Sequence, residues 1–278
     1  MTDAERNKRF KAERAAILGA RTQMQRDLQG EVLRMLALAD RRITNILGTG
    51  ATEFQAFLLP QLQQSVRQTM IDWGDGAAAR LNSTMTQAGQ LGIELIDRPL
   101  RAGGVRIEGL IPSVNLDQLN AMRTFATDRI KGVGVSAANR INSELGLVVI
   151  GAQAPGDAIA TIAIHLQKGG RGRALTITRT ELGRAFSVAA QERFSQAAEI
   201  LPGLQKEWRK SGKIHDRPHH SAINGQRVAV DEPFTLGNGV KIRFPRDPRA
   251  SAGETVNCGC ESLPAMASWD VINQARAA

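Results

Sequence analysis

His215-Asp216-Arg217-Pro218-His219-His220 opens the stretch that decides the reading of this chain, and Asn257-Cys258-Gly259-Cys260 closes it. Between them lie Asn224-Gly225, Asp231-Glu232-Pro233-Phe234 and Pro245-Arg246-Asp247-Pro248. Three of the four histidines (all but His165) and both cysteines fall inside this window. It is also where helical periodicity stops. Gln205 to Lys210, Gln226 to Val230 and Val240 to Phe244 read as short strands separated by Asn, Gly and Pro turns. Leu236-Gly237-Asn238-Gly239-Val240 is a hairpin signal, because Asn-Gly tolerates the positive φ of a tight turn. The expected fold class is mainly α: long helices forming an arm and a helical body, with a small antiparallel β module at the C-terminal end, an α+β arrangement.

Upstream, residues 4–47 hold no proline and two glycines and read as one helix. Its apolar positions Met24, Leu28, Val32, Met35, Ala39, Ile43 and Ile46 recur in steps of four, four and three, an 11-residue pattern that gives a straight or slightly right-handed seam. The charged turns from Arg6 to Arg14 read as a frayed or partner-ordered end. A second helix restarts at Thr52-Glu53, carries Phe54, Phe57 and Leu58, and breaks at Gly74-Asp75-Gly76. A third covers about 77–97 and stops before Pro99, with Val105-Arg106-Ile107 a candidate strand beyond it. Asn115 or Asp117 caps the next helix, which turns at Gly132-Val133-Gly134. Asp157 caps a short helix that ends in the basic turn Lys168 to Arg173. A last long helix runs from Thr178 to Ile200, with Arg179-Thr180-Glu181 as its cap and local ion pair, clamping it to the C-terminal sheet.

Composition excludes several classes. Tyrosine is absent and aromatics are 4%, which leaves no stacking platform for single-stranded nucleic acid. No apolar run approaches a membrane span, and the mixed charges of Met1 to Arg6 do not read as a secretory signal. Two cysteines spaced Cys-Gly-Cys are no disulfide scaffold, so a reducing compartment is expected. The net charge is +9 with a pI near 10.3. The excess sits at the two ends: residues 1–47 hold 10 Lys/Arg against 6 Asp/Glu and residues 170–278 hold 16 against 11, with the middle balanced. Opposite charges alternate within both ends, which fits solvated faces as well as a polyanion-facing surface.

Four chemistries fit the His/Cys window. His215, His219 and His220 with Cys258 and Cys260 offer the N and S ligands that zinc takes tetrahedrally. The same residues can be structural, with histidines bonding loop backbone and cysteines acting as small buried apolar groups. A catalytic reading makes the window a metal-dependent hydrolase or nuclease centred on His219, His220 and Cys258, or a Cys–His nucleophile in which Cys258 pairs with a histidine whose ring Asp216 or Asp231 orients. Finally, Arg243, Arg246 and Arg249 form a candidate basic rim for nucleic acid.

In order along the chain stand Arg179-Thr180-Glu181, Lys206-Glu207-Trp208, Asp216-Arg217-Pro218-His219-His220, Ile223-Asn224-Gly225-Gln226, Val228 to Phe234 (with Asp231 and Glu232), Pro245-Arg246-Asp247-Pro248 and Gly253 to Cys260 (with Asn257). This series resembles the head-morphogenesis domain of tailed-phage minor head proteins, the group named after protein F of phage Mu. The resemblance runs from about Leu116 to Pro264 and is densest after Arg179. Two positions depart from it: Gly259 stands where Arg is usual, and Asn224 where Asp is usual. The resemblance implies a non-enzymatic minor head protein inside the virion, assembled in the host cytoplasm. Its partners would be the portal protein, major capsid or scaffold proteins and non-specifically bound packaged DNA, without a membrane. Some members of the group are associated with genome ejection or carry toxin domains; no added toxin domain is expected here. On this reading residues 1–100 are the helical arm that docks on portal or capsid. Residues 101–200 are the helical part of the head-morphogenesis domain, and 201–278 the β-rich His/Cys module.

Overall fold

The computed structural model describes residues 1–49, 59–107, 114, 117–212 and 216–269. It is mainly helical with a small C-terminal antiparallel sheet, as expected. The helices are α1 (Asp3–Thr49), α2 (Leu59–Ala102), α3 (Asp117–Val149), α4 (Pro155–Ile164) and α5 (Arg171–Ile200), with a π-helical turn, His165–Gly170, joining the last two. The C-terminal part holds β1 (Leu204–Arg209), α6 (Pro218–Ser221), β2 (Arg227–Ala229), β3 (Phe234–Thr235), β4 (Lys241–Ile242), α7 (Ala252–Thr255) and β5 (Glu261–Met266). His215, the apolar residues Phe54, Phe57 and Leu58, and Asn115 lie outside the described residues.

The chain compacts into two units, each discontinuous in sequence. One comprises Met1–Gln25, Met85–Met122 and Thr180–Ala278; the other comprises Arg26–Thr84 and Arg123–Arg179. Helices α1, α2, α3 and α5 each contribute to both units.

The second unit is all helix. The α1 seam here is Leu28, Val32, Leu36, Ala39, Ile43 and Leu47, all buried. It keeps the four-four-three step and is rotated slightly from the expected set, so that Met35 and Ile46 flank it half-buried. Trp73 Nε1 donates to the Val32 carbonyl at 3.4 Å. Two expected breaks are absent. Gly74 and Gly76 lie within α2, and Gly132 and Gly134 lie within α3. At Gly134 a Cβ would collide with the backbone carbonyl oxygen of Met70, and at Gly74 it would sit 3.3 Å from the Lys131 Cα. These glycines let two backbones approach; they do not turn the chain. Asp75, suggestive of a turn in sequence, pairs with Lys131 at 2.8 Å.

Other boundaries also move. Pro99 lies inside α2, which ends three residues later where Gly103 donates to the Pro99 carbonyl and Gly104 takes φ +90°. A left-handed glycine after the last turn, not the proline, stops the helix. Val105 to Ile107 form no strand. The N-cap of α4 is Ala154, with Pro155 and not Asp157 opening the helix. The basic run ending at Arg173 is helical, and α5 starts at Arg171, which puts Arg179-Thr180-Glu181 in its interior.

In the first unit the opening turns of α1 are docked, not frayed. Arg6 is buried and donates to the Gly103 carbonyl at 2.7 Å. Phe10 meets Trp269 edge-to-face with ring centroids 5.6 Å apart. Arg14 donates to the Pro264 carbonyl at 2.9 Å and pairs with Glu207. Arg193 grips Asp97 through two bonds of 2.6 and 2.8 Å, joining α5 to α2. At Gly92 a Cβ would collide with the Phe186 carbonyl oxygen, again a close helix crossing.

The three-stranded antiparallel sheet has the order β2-β1-β5, and β3 pairs with β4 in a separate hairpin. β1 is central and alternates buried Leu204, Lys206 and Trp208 with more exposed partners. β5, not foreseen in the sequence, is an edge strand, which accommodates Pro264 opposite Lys206. The expected hairpin forms with Phe234 opposite Ile242 and Gly239 at φ +82°. The core of the C-terminal module includes the buried cluster Trp208, Phe234, Leu236, Ile242, Cys258 and Cys260.

Candidate functional site

β1 carries Trp208 into the module core, where its Nε1 donates to the His220 carbonyl at 3.0 Å and its ring meets Phe234 and His220 edge-on. That bond holds α6 against β1. Pro218 opens α6 at a position where its missing N–H leaves nothing unsatisfied. The preceding Arg217 donates to the Val256 carbonyl at 2.8 Å, and Asp216 accepts a short hydrogen bond from the Ser221 hydroxyl. After α6, the Asn224 side chain accepts the Lys210 N–H at 2.9 Å, while Gly225, at φ +85°, donates to the Trp208 carbonyl at 2.7 Å. Asn224 thus does the turn work expected of the usual aspartate.

The cysteines are presented by the turn after α7. Asn257 adopts φ +56°, a left-handed conformation that asparagine tolerates better than most residues. Its N–H donates to Thr180 Oγ1 at 3.0 Å, which ties the turn to α5. Neighbouring Glu181 is fully buried and paired with Arg184 at 2.9 Å, while Arg179 lies half-buried two residues earlier.

His220 stands between two sets of groups. Its Nδ1 lies 3.7 Å from both the Cys258 and Cys260 sulfurs. Its Nε2 lies 2.6 Å from Glu254 Oε2, which also accepts from His219 Nε2 at 2.9 Å. Asn238 Nδ2 donates to the other Glu254 oxygen at 3.2 Å. His220, Cys258 and Cys260 are 1–3% exposed, and both thiols are free.

The electrostatics follow from these contacts. Burial opposes charge on His220, but hydrogen bonds to Cys258 and Glu254 outweigh it and raise its pKa. Burial likewise works against ionised Glu254, yet the bonds from His220, His219 and Asn238 pull it down to about 2. The Cys260 thiol hydrogen-bonds Cys258, whose pKa falls far below the thiol range with help from His220 and Arg246; the same contact drives Cys260 upward.

Arg246 is placed differently from the sequence expectation. It is fully buried, in a left-handed backbone conformation with φ +66°. It donates to the Cys258 carbonyl at 2.9 Å, Ser187 Oγ at 2.7 Å and Glu261 Oε2 at 2.6 Å. Glu261 is shared with Arg21 of α1 at 2.7 Å. Arg246 is thus a strut beneath the cysteine turn and out of reach of a nucleic acid. Arg243 is clamped by two 2.7 Å bonds to Asp247, and Arg249 alone of the three is exposed. Asp231 and Glu232 lie exposed in the turn before Phe234.

Of the five expected metal-site residues, the structure brings together His220, Cys258 and Cys260; His219 turns to Glu254 instead. The ring-orienting carboxylate is Glu254, not Asp216 or Asp231. A lone Glu in Gly253-Glu254-Thr255 carries no sequence signal of that role. Lys206, part of the Lys206-Glu207-Trp208 motif but given no role from sequence, is 1% exposed, donates to the Arg243 carbonyl at 2.8 Å and lies 5.3 Å from the Phe234 ring centroid. Burial lowers its pKa to about 8.

Comparison with known proteins bears on this frame. Residues 144–263 match the family model described as Phage Mu protein F like protein. The uncharacterized protein YqbB of Bacillus subtilis (strain 168) is 38% identical over 101 residues, 35% of this chain and 32% of that protein. The NAD(+)–arginine ADP-ribosyltransferase EFV of Enterococcus faecalis (strain ATCC 700802 / V583) is 37% identical over 91 residues, 33% of this chain and 18% of that protein. The chain therefore spans about a third or less of the curated relatives it matches. No solved structure matches it. Among the described residues, no helix is long and apolar enough to cross a membrane. The match spans α4, α5 and nearly all of the β module, so over residues 144–263 this chain is similar to Phage Mu protein F like proteins.

Proposed function

We propose that this protein is a minor head protein of a tailed bacteriophage, bound to the portal and lying inside the head beside packaged DNA. The family match over residues 144–263 carries the reading. The frame built by Thr180, Trp208, Arg217, Asn224 and Asn257 supports it, because the residues that mark the family are those that hold the module together. Burial of His220, Cys258 and Cys260 among Trp208 and Phe234 favours a structural role for them over a nucleophile that must meet substrate. The DNA part of the proposal rests on the net charge of +9, since Arg246 is internal and Arg243 is paired. Contacts of that kind are non-specific and weaken steeply as salt rises.

The test is genetic and biochemical together. Tagged protein from infected cells should co-purify with portal protein and be recovered from mature virions, and a null mutant should yield few infectious heads. Normal, filled, infectious heads from the null mutant would overturn the proposal.

A further inference from the structure

We infer that Cys258, Cys260 and His220 form a binding site for one zinc ion, taken through the two sulfurs and the ring Nδ1 of His220. With zinc–sulfur bonds of about 2.3 Å and zinc–nitrogen bonds of about 2.0–2.1 Å, a tetrahedral centre separates its N and S ligands by about 3.5 Å. Both sulfurs lie 3.7 Å from Nδ1, within a short adjustment of that edge. The three ligand atoms all lie within 4.8 Å of one another.

A second grouping, His219, His220 and Glu254, also brings three donors close. It does not have the spacing of a metal centre. The 2.6 Å between His220 Nε2 and Glu254 Oε2 is a hydrogen-bond length, whereas an ion between them would hold the two atoms about 3.4 Å apart. That short bond has a different use. A metal-bound histidine commonly gives its other ring N–H to a carboxylate, which sets the tautomer and the ring direction. Glu254 occupies that place, and His219 and Asn238 fix it in turn. Glu254 is therefore a positioning residue.

The surroundings suit thiolate sulfur. The Cys258 sulfur accepts the Cys260 backbone N–H, and the Cys260 sulfur accepts the Ser211 backbone N–H. The guanidinium of Arg246 sits beneath the turn on the Cys258 carbonyl. An ion here would join α6, the cysteine turn and, through Trp208, the central strand of a module with few apolar residues. The remaining zinc position takes a donor from outside this triad.

The full-length chain, purified reduced from zinc-supplemented cells, is assayed for metal by mass spectrometry, and its thiols are titrated natively before and after a chelator. About one zinc per chain is expected, with release of zinc and exposure of two reactive thiols occurring together. Cys260→Ser and His220→Ala should lose the ion, and His219→Ala should keep it. Glu254→Gln should bind zinc about 10–100-fold more weakly. The thiol readout uses the unaltered protein and so does not depend on whether the cysteine variants fold. A metal-free chain whose thiols react without chelator overturns the site. So does a Cys258–Cys260 disulfide in the intact mass, or zinc that survives Cys260→Ser and is lost in His219→Ala.

Discussion

In the helical unit built from Arg26–Thr84 and Arg123–Arg179, order comes from backbones brought close and aliphatic side chains interdigitated; the decisive residues, Gly74 and Gly134, have no side chain at all. In the segment from Leu204 to Met266, order comes from polar side chains bonded to backbone: Arg217 on Val256, Trp208 on His220, Arg246 on Cys258, and Lys206 on Arg243. The difference follows from size. Helices of 33 to 47 residues satisfy their own backbone and need only a face to bury. Strands of two to six residues leave many backbone groups without a ladder partner, and each such group needs a side chain or solvent. A large helical layer can thus be specified by volume alone, whereas a small module must be specified by individual bonds.

Substitutions can break this contrast, and the largest effect belongs to the module. Arg246→Met removes a buried cation from Glu261, Ser187 and the Cys258 carbonyl. It should destabilise the protein by about 3–5 kcal/mol, read as a lowered urea midpoint. Arg249→Ala, at the exposed position three residues on, should stay within about 0.5 kcal/mol. Equal effects at the two positions would remove the distinction between strut and surface.

Lys206 sharpens the same point through pH. Its folded pKa is about 8 against an ordinary 10.5. Between those values the unfolded chain holds more protons than the folded one, so stability should rise with pH across that window. The gain from this group is at most about 3 kcal/mol. Lys206→Met should flatten the rise relative to the parent protein, measured as unfolding midpoints at pH 8 and pH 10.5. An unchanged slope would mean that Lys206 is solvated.

The smallest effects test the helices. Gly134→Ala should destabilise by about 1–3 kcal/mol, because its Cβ meets the Met70 carbonyl. Gly146→Ala, in the same helix with nothing within 4 Å of its Cβ, should stabilise by up to about 1 kcal/mol. A pair of thermal melts distinguishes the two. Stabilisation by both would show that the helices do not touch at Gly134.

The contrast also explains what was legible in the sequence. Periodicity exposes faces, so the α1 seam could be read, shifted by about one residue at Met35 and Ile46. It cannot distinguish a glycine that turns a chain from one that admits a neighbour, so Gly74 and Gly134 read as breaks. Local turn chemistry identified the Asn238-Gly239 hairpin and the Asn224-Gly225 turn, both set by residues adjacent in sequence. Rarity gathered His220, Cys258 and Cys260 into one site. The roles of Glu254 and Lys206 are invisible in the sequence because their types are common and those roles come from contacts distant in sequence. Arg246 was misread as a surface charge for the same reason. β5 was missed because Pro264 argues against a strand unless its edge position is known.

The interleaving of the first unit has a consequence for synthesis. Arg14 bonds to Pro264, 250 positions later, and Arg21 finds its carboxylate in Glu261. While the ribosome is still translating the middle of the gene, the first helix can be wound, but its buried cations have no acceptors. Closure of this unit must wait for the last strand to emerge. This unit is therefore closed in one late step, once β5 has been made and can meet α1.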